Sequence, residues 1–408
     1  MTPLTVNWQT FLDQMDQINA LSDATPGQNR LVYTPNWVAA QQALIQFGQS
    51  IGMQARVDDY GTVYLDLPGQ TNAPAIATGS HMDTVANGGR YDGLYGVLGG
   101  LHAIATLQQT HGQPKRPLRL ISFSEEEGSR FPATFSGSKH YTGLAETTAI
   151  TDPSGVNFDD ARQTAVQQLL TLPGIRHERP ALPASFTELH IEQGPRLVQH
   201  QAQIGLVTGI VGQRRFTVTV SGTANHAGTT PMDQRHDALQ VAVNLIHELA
   251  QIAKTLSPTL TFTVGQFDVS PNTANVIPGQ VAFTIDCRHT IDGILDQFEM
   301  QLTHLTTNRP DHTLTITVDR WVHDRPVQLA EDLCQLNQKL ADQLGLTSMQ
   351  LASGAGHDSM IMSQFVPTTM LFVPSINGIS HAPEERTEFA DLQTGIKLLT
   401  ASLHAQAY

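Results

Sequence analysis

Residues 205–222 read GLVTGIVGQRRFTVTVSG, and the change of pattern across them decides the fold. Upstream, helical periods at 7–21, 35–52 and about 93–110 alternate with strand-like runs at 62–67, 75–80 and 118–124. A helical period at 161–172 and a strand at 186–192 continue the series, and such alternation builds an α/β sheet. The glycine-rich stretch from Gly205 to Gly212 reads as a turn. Beyond it the order becomes strand (214–222), helix (about 235–254), strand (259–269), strand (280–288), helix (about 292–306) and strand (312–321). That βαββαβ order predicts a ferredoxin-like unit. The chain then returns to helix (328–344), a second glycine-rich turn (353–356), strand (368–375) and a closing helix (389–405). The expectation is an α/β domain with a mixed sheet, residues 1–211 and 327–408, interrupted by an inserted α+β domain at 212–326.

The chain has 408 residues, enough for two or three domains, with 40% hydrophobic and 15% charged residues. No apolar run approaches the ~18 residues that span a bilayer, so a membrane protein is not expected. The opening residues MTPLTVNWQTFLDQMDQ lack the basic and apolar regions of a signal peptide, and cysteine occurs only as Cys287 and Cys334. Both features point to a reducing cytoplasm. The net charge of −14 is spread along the chain without a Lys/Arg cluster, which argues against nucleic acid as a partner.

Four segments combine glycine with metal-type side chains, each after a predicted strand: SHMD (80–83) with YDG (91–93), SEEEGSRF (124–131), ELHIEQG (188–194) and GISHAPEERT (378–387). The carboxyl edge of an α/β sheet is where such sites form. His81 and Asp83 are two apart, so in an extended segment Asp83 can accept the second ring N–H of His81 and fix its tautomer. A solvated loop histidine is the alternative, and Asp92 equally suits a helix N-cap. Three successive glutamates, 125–127, repel one another unless a cation or a shared proton offsets their charge, although acids at a helix start are also common. Histidines and carboxylates from four strand ends together suit a two-metal hydrolytic centre, with Zn²⁺, Mn²⁺ or Co²⁺ as the ions.

Six motifs in this order, GSHMDTVANGGRYDG, EEEGSRF, ELHIEQG, VSGTANHAGTTPM, SGAGHD and PSINGISHAPEE, resemble the dinuclear metal amidohydrolases of the aminoacylase and carboxypeptidase superfamily. The most similar branch contains allantoate amidohydrolases, ureidoglycolate amidohydrolases and N-carbamoyl-L-amino acid hydrolases. The resemblance implies that His81, Asp92 and His190 bind one ion, and Asp92, Glu127 and His381 the other, with Asp92 as the bridge. It implies Glu126 as general base and leaves Glu125 solvated and without a role. The inserted domain would be a lid that also forms a homodimer, and His226 would stabilise the oxyanion. Asn275 and Arg288 match the family pattern for substrate binding, while His357 either contacts substrate or bridges loops.

All enzymes of that branch cleave a ureido C–N bond. The stretch EEEGSRFPATFSGSKHYTG and Arg215 resemble the allantoate enzymes, although one of Arg214 and Arg215 also fits a surface charge on an edge strand. Gln193, Arg215, Asn275 and Arg288 would form a polar pocket for a small ureido substrate with a carboxylate, and allantoate is the expected one. A carbamoylase for bulky amino acids needs an apolar pocket instead. Ureidoglycolate hydrolysis, a metallopeptidase and a non-catalytic dimeric binding protein are the other readings.

Overall fold

The computed structural model describes residues 6–23, 26–144, 149–308 and 314–408. The chain forms two compact units, one of Met1–Thr208 with Gln328–Tyr408, the other of Gly209–Val327.

The first unit is built on a mixed sheet. Its central strands lie in the spatial order Thr368–Val373, Ser185–Ile191, Ile76–His81 and Leu118–Phe123, and each pairs with its neighbour in parallel. Val63–Leu67 and Ile204–Ile210 join on the two sides as antiparallel strands. The four central strands are buried along their full length, as expected when a parallel sheet is covered on both faces. Helix Leu94–His111 is apolar nearly all round and therefore lies inside the protein. Its close approach depends on Gly96, where a Cβ would stand 2.1 Å from the carbonyl oxygen of Leu189. Because the central strands are parallel, their carboxyl ends share one edge. That edge carries His81, the run 125–127 and His190, and the chain reaches His381 shortly after leaving Val373.

The expected turn at Gly205–Gly212 is instead mostly strand, Ile204–Ile210, which leads directly into Gly212–Ser221. Gly205 pairs with Phe372, and a Cβ there would stand 2.8 Å from the Leu351 side chain and 3.0 Å from that of Phe372. Glycine at this place allows tight lateral packing in a sheet and does not turn the chain.

In the second unit the antiparallel strands Thr315–Asp324, Gly212–Ser221 and Gln280–His289 lie side by side, and both Thr261–Thr263 and Phe267–Ser270 pair with the last of these. The strand expected at 259–269 is thus two short strands, separated at 264–266. The strand expected at 312–321 begins on residues outside the described ones and is observed from Thr315. Burial alternates strictly along Gly212–Ser221: Arg214, Phe216, Val218 and Val220 are buried, while Gln213, Arg215, Thr217 and Thr219 are half-buried. Helices Ala238–Leu256 and Asp292–Thr307 contribute Leu245, Leu249, Leu295, Phe298 and Leu302 to the same core as Phe216, Val218 and Val220. Among the described residues no helix is long and apolar enough to cross a membrane.

Candidate metal centre

Asp92 lies at the middle of a cluster in the first unit. One of its oxygens, Oδ1, is 3.4 Å from His81 Nε2 and 3.2 Å from His190 Nε2. The other, Oδ2, is 3.3 Å from His381 Nε2, which is itself 3.5 Å from Glu127 Oε2. Ligand-type atoms in each of the groups His81–Asp92–His190, His81–Glu126–Glu127 and Asp92–Glu127–His381 lie within 4.8 Å of one another. The histidine tautomers are set by backbone oxygens. His81 Nδ1 is 3.0 Å from the carbonyl of Asp83, and His190 Nδ1 is 2.9 Å from that of Ile191. A proton on each Nδ1 leaves each Nε2 with a lone pair directed into the cluster. His190 Nε2 also accepts the N–H of Gly93 at 3.1 Å.

Gly93 has φ +63, and a Cβ on it would stand 2.5 Å from the His81 ring. It is also the residue that caps helix Leu94–His111, so Asp92 is not the N-cap. The two carboxylate oxygens of Glu385 hold the rest of the loop. Glu385 Oε1 accepts the N–H groups of Tyr91 and Asp92 at 2.8 and 3.1 Å. Ser380 donates to Asp92 Oδ2 at 3.0 Å and lies 2.7 Å from Glu385 Oε2.

The sequence reading needs two corrections here. Asp83 reaches His81 by its carbonyl, while its carboxylate is farther, at 3.6 Å, and Oδ2 accepts the backbone N–H groups of Glu126 and Glu127 at 3.0 and 3.1 Å. The carboxylate therefore shapes the glutamate turn, and the main chain orients the histidine. Glu125 is not solvated: it is 1% exposed, has φ 51, and neither carboxylate oxygen has a hydrogen-bond partner among the described residues. It follows a fully buried strand, and that turn carries it inward. Gln193 lies against Asp92, its amide nitrogen donating to Oδ2 at 2.7 Å.

Burial pushes Glu127 up to about 8, with Asp92 adding to the shift and His81 opposing it. Glu126 is also raised well above the usual carboxylate range, first by burial, with Glu127, Asp358 and Asp83 adding and His81 opposing. Packed acids with this burial destabilise one another unless positive charge lies between them. Imidazole Nε2 atoms and carboxylate oxygens within a few ångströms are a donor set suited to divalent zinc, manganese or cobalt. The residues present therefore fit such ions.

Behind the cluster, Glu188 accepts Ser80 Oγ at 2.8 Å and the backbone N–H of Ser359 at 3.0 Å. His357 is buried, packs edge-on against His190 with ring centroids 4.8 Å apart, and hydrogen-bonds Ser353 Oγ at 2.9 Å. Burial, reinforced by His190, keeps His357 neutral well below its usual pKa. Glu188 and Glu385 were not singled out by the sequence reading, although both lie within motifs it quoted. A signal for Glu385 exists in Gly89, where a Cβ would stand 2.0 Å from the Glu385 carboxylate.

The remaining candidates are in the second unit and form two groups there. Val276–Ile277 pairs with Asn225–His226, and the carbonyl of Asn275 accepts the N–H of Ala227 at 3.0 Å, so Asn275 and His226 share a short two-stranded ladder. His226 is exposed, and its Nδ1 accepts the backbone N–H groups of Gly228 and Thr229 at 2.9 and 3.2 Å. The proton of the neutral ring is thereby placed on Nε2, which becomes an outward donor. Arg215 and Arg288 both hold Asp286, at 2.9 Å each. Arg214 is 0% exposed and pairs with Asp292 and Asp296 against the helical layer, so neither arginine is a free surface charge. Cys287, between these groups, is a buried free thiol.

Residues 77–405 match the model of peptidase family M20/M25/M40. The chain is 40% identical to an allantoate amidohydrolase of Escherichia coli over 95% of each chain. It is 35% identical to an N-carbamoyl-L-amino-acid amidohydrolase of Paenarthrobacter aurescens over 96% of each. A solved amidase of the hydantoinase/carbamoylase family from Burkholderia multivorans superposes with a TM-score of 0.90 at 31% identity, covering 99% of this chain and 98% of the other.

Proposed function

The chain belongs to peptidase family M20/M25/M40, and from that premise we propose that it is a metal-dependent amidohydrolase that cleaves a ureido C–N bond, with allantoate as its substrate. The observation that carries the metal part is the division of the Asp92 carboxylate, with Oδ1 facing His81 and His190 and Oδ2 facing His381. One divalent ion is assigned to His81, Asp92 and His190, and a second to Asp92, Glu127 and His381, with Asp92 shared. Bound there, manganese, zinc or cobalt would polarise the ureido carbonyl and make a water acidic enough to attack it.

The protein's own groups move the protons and hold the substrate. Glu126, raised in pKa by burial, takes a proton from the attacking water and passes it to the leaving nitrogen. Asp83 holds the main chain of Glu126 and so keeps that carboxylate at a fixed place. His226, with its proton on Nε2, donates to the carbonyl oxygen as negative charge develops on it. Arg215, Arg288 and Asn275 are assigned to the carboxylate and ureido groups. Gln193 is assigned to the substrate through its amide oxygen, which is buried and has no partner among the described residues. Attack at a carbamoyl carbon of allantoate then yields ureidoglycine and a carbamate that breaks down to ammonia and CO₂, after which a second water replaces the amine of ureidoglycine to give ureidoglycolate and a second ammonia.

The second unit is assigned as a ferredoxin-like lid and as the surface of a homodimer, in a chain that works in the cytoplasm. The strand order in this unit supports the ferredoxin-like part of that assignment, and the two free, buried cysteines support the reducing compartment.

Comparison of kcat/KM for allantoate, N-carbamoyl-L-methionine and ureidoglycolate after manganese loading tests the substrate. Allantoate is expected to be preferred, and a preference for the carbamoyl amino acid overturns that part. The 35% identity to an N-carbamoyl-L-amino-acid amidohydrolase makes this the second reading. A peptide panel tests the metallopeptidase reading, for which no turnover is expected, and turnover of any ureido compound eliminates a purely binding role.

A further inference from the structure

In the second unit, strand Gln280–His289 pairs with Gly212–Ser221 so that Asp286 stands directly opposite Arg215 and Arg288 directly opposite Gln213. Residues two apart on a strand share a face, so all four side chains lie on the half-buried face, away from the helices. Asp286 is the hub of the group. Its Oδ2 accepts Gln213 Nε2 at 2.7 Å, Arg215 Nε at 2.9 Å and Arg288 Nη2 at 3.1 Å, and its Oδ1 accepts Arg288 Nε at 2.9 Å. Arg215 is held from a second direction by Trp321, whose ring centre is 5.3 Å from the guanidinium carbon.

Burial by itself would raise the pKa of Asp286, but Arg288 and then Arg215 hold it below the usual range, so the carboxylate is ionised at neutral pH. One carboxylate thus lies against two guanidiniums and offsets part of their charge. We propose that Asp286 is a specificity-determining residue: by spanning Arg215 and Arg288 it offsets part of their positive charge, and so selects ligands with one carboxylate over ligands with two. The inference rests on the reading above, in which these arginines meet the carboxylate of a ureido acid.

The physical reason is a difference of affinities. A second ligand carboxylate meets a guanidinium pair already neutralised by half, and it lies near the Asp286 oxygens, which repel it. Removing the negative charge turns that repulsion into attraction. In a half-exposed setting one such charge changes relative affinity by about tenfold.

Isothermal titration of N-carbamoylglycine and N-carbamoyl-L-aspartate into the full, manganese-loaded chain reads the ratio of their dissociation constants. In the wild type the single-carboxylate ligand binds more tightly. Asp286→Asn is expected to move the ratio about tenfold toward the dicarboxylate, and Asp286→Glu to keep the wild-type ratio. Arg215→Gln lowers the net charge by one and is expected to move the ratio in the opposite sense. A general loss of structure weakens both ligands and leaves the ratio unmoved, which separates it from the proposed role. An unchanged ratio in folded Asp286→Asn overturns the inference, and if that variant does not fold, an unchanged ratio in Arg215→Gln does so. If the wild type binds neither ligand, the ureido-acid reading itself fails, before any variant is considered.

Discussion

The Asp83 carboxylate accepts the backbone N–H of Glu126 at 3.0 Å, while the Asp83 carbonyl sits 3.0 Å from His81 Nδ1. One residue therefore positions a proposed metal ligand with its main chain and the proposed base with its side chain. Asp83→Ala is expected to lower kcat/KM by about 10- to 100-fold through the glutamate turn. His81 keeps its carbonyl partner, so the metal content measured by mass spectrometry is expected to fall less than activity.

Glu126 is assigned no ion, so its role separates from metal binding. Glu126→Gln preserves shape and removes the proton acceptor. Turnover is expected to fall by about 10²–10⁴-fold with metal content and melting temperature retained. Near-wild-type turnover in the metal-loaded variant removes Glu126 as the base.

Chelation tests the centre as a whole. Asp83, Asp92, Glu126 and Glu127 converge in a buried place, so withdrawal of the ions leaves their mutual repulsion uncompensated. EDTA is expected to abolish turnover and lower the melting temperature, and manganese to restore both. At metal concentrations about 100-fold above Kd the restored stability is about 2.7 kcal/mol. An unshifted melting curve contradicts bound ions in the native protein.

Gly93 carries φ +63 and faces the His81 ring at 2.5 Å from where a Cβ would be. Gly93→Ala is expected to add about 1–3 kcal/mol of backbone strain and to displace the ring. Metal content per chain should fall together with the melting temperature, whereas a loss of stability with full metal content would show that the ring has not moved.

His226 is exposed and supports no core, so His226→Ala is expected to leave the melting temperature unchanged. Loss of a donor to the oxyanion predicts a fall in kcat of about 10²–10³-fold. Mixing His226→Ala subunits with Glu126→Gln subunits tests the proposed dimer: partial recovery of activity is expected if each subunit completes the other.

His81, Glu126, Glu127 and His190 were legible in the sequence because each stands at or just past the end of a buried strand. His81 ends Ile76–His81, Glu126 and Glu127 follow Leu118–Phe123, and His190 lies in Ser185–Ile191, so the period of the apolar residues alone brings them to one edge. The partners around those ligands were less legible. Nothing in the spacing of SHMD tells that the Asp83 carboxylate turns toward residues 43 and 44 positions away, since that contact is made by tertiary packing. Glu125 misled the reading for a related reason: local sequence gives three acids in a row, while only the fold decides which of them faces inward. Gly205–Gly212 misled it because glycine has two uses, a bend and a tight lateral contact, and the neighbours that distinguish them, Leu351 and Phe372, are far along the chain.

Each of the six clustered side chains, His81, Asp92, Glu126, Glu127, His190 and His381, belongs to the first unit, whereas Arg215, Asn275, Asp286 and Arg288 belong to the second. Under the proposed function, ion capture and most of the recognition of the acid are thus written in separate stretches of the chain. Under the proposed function, mutational drift within residues 209–327 that spares His226 can exchange one ureido acid for another without touching the proposed ligands or the base, so new substrates can arise while the ion-holding unit stays fixed.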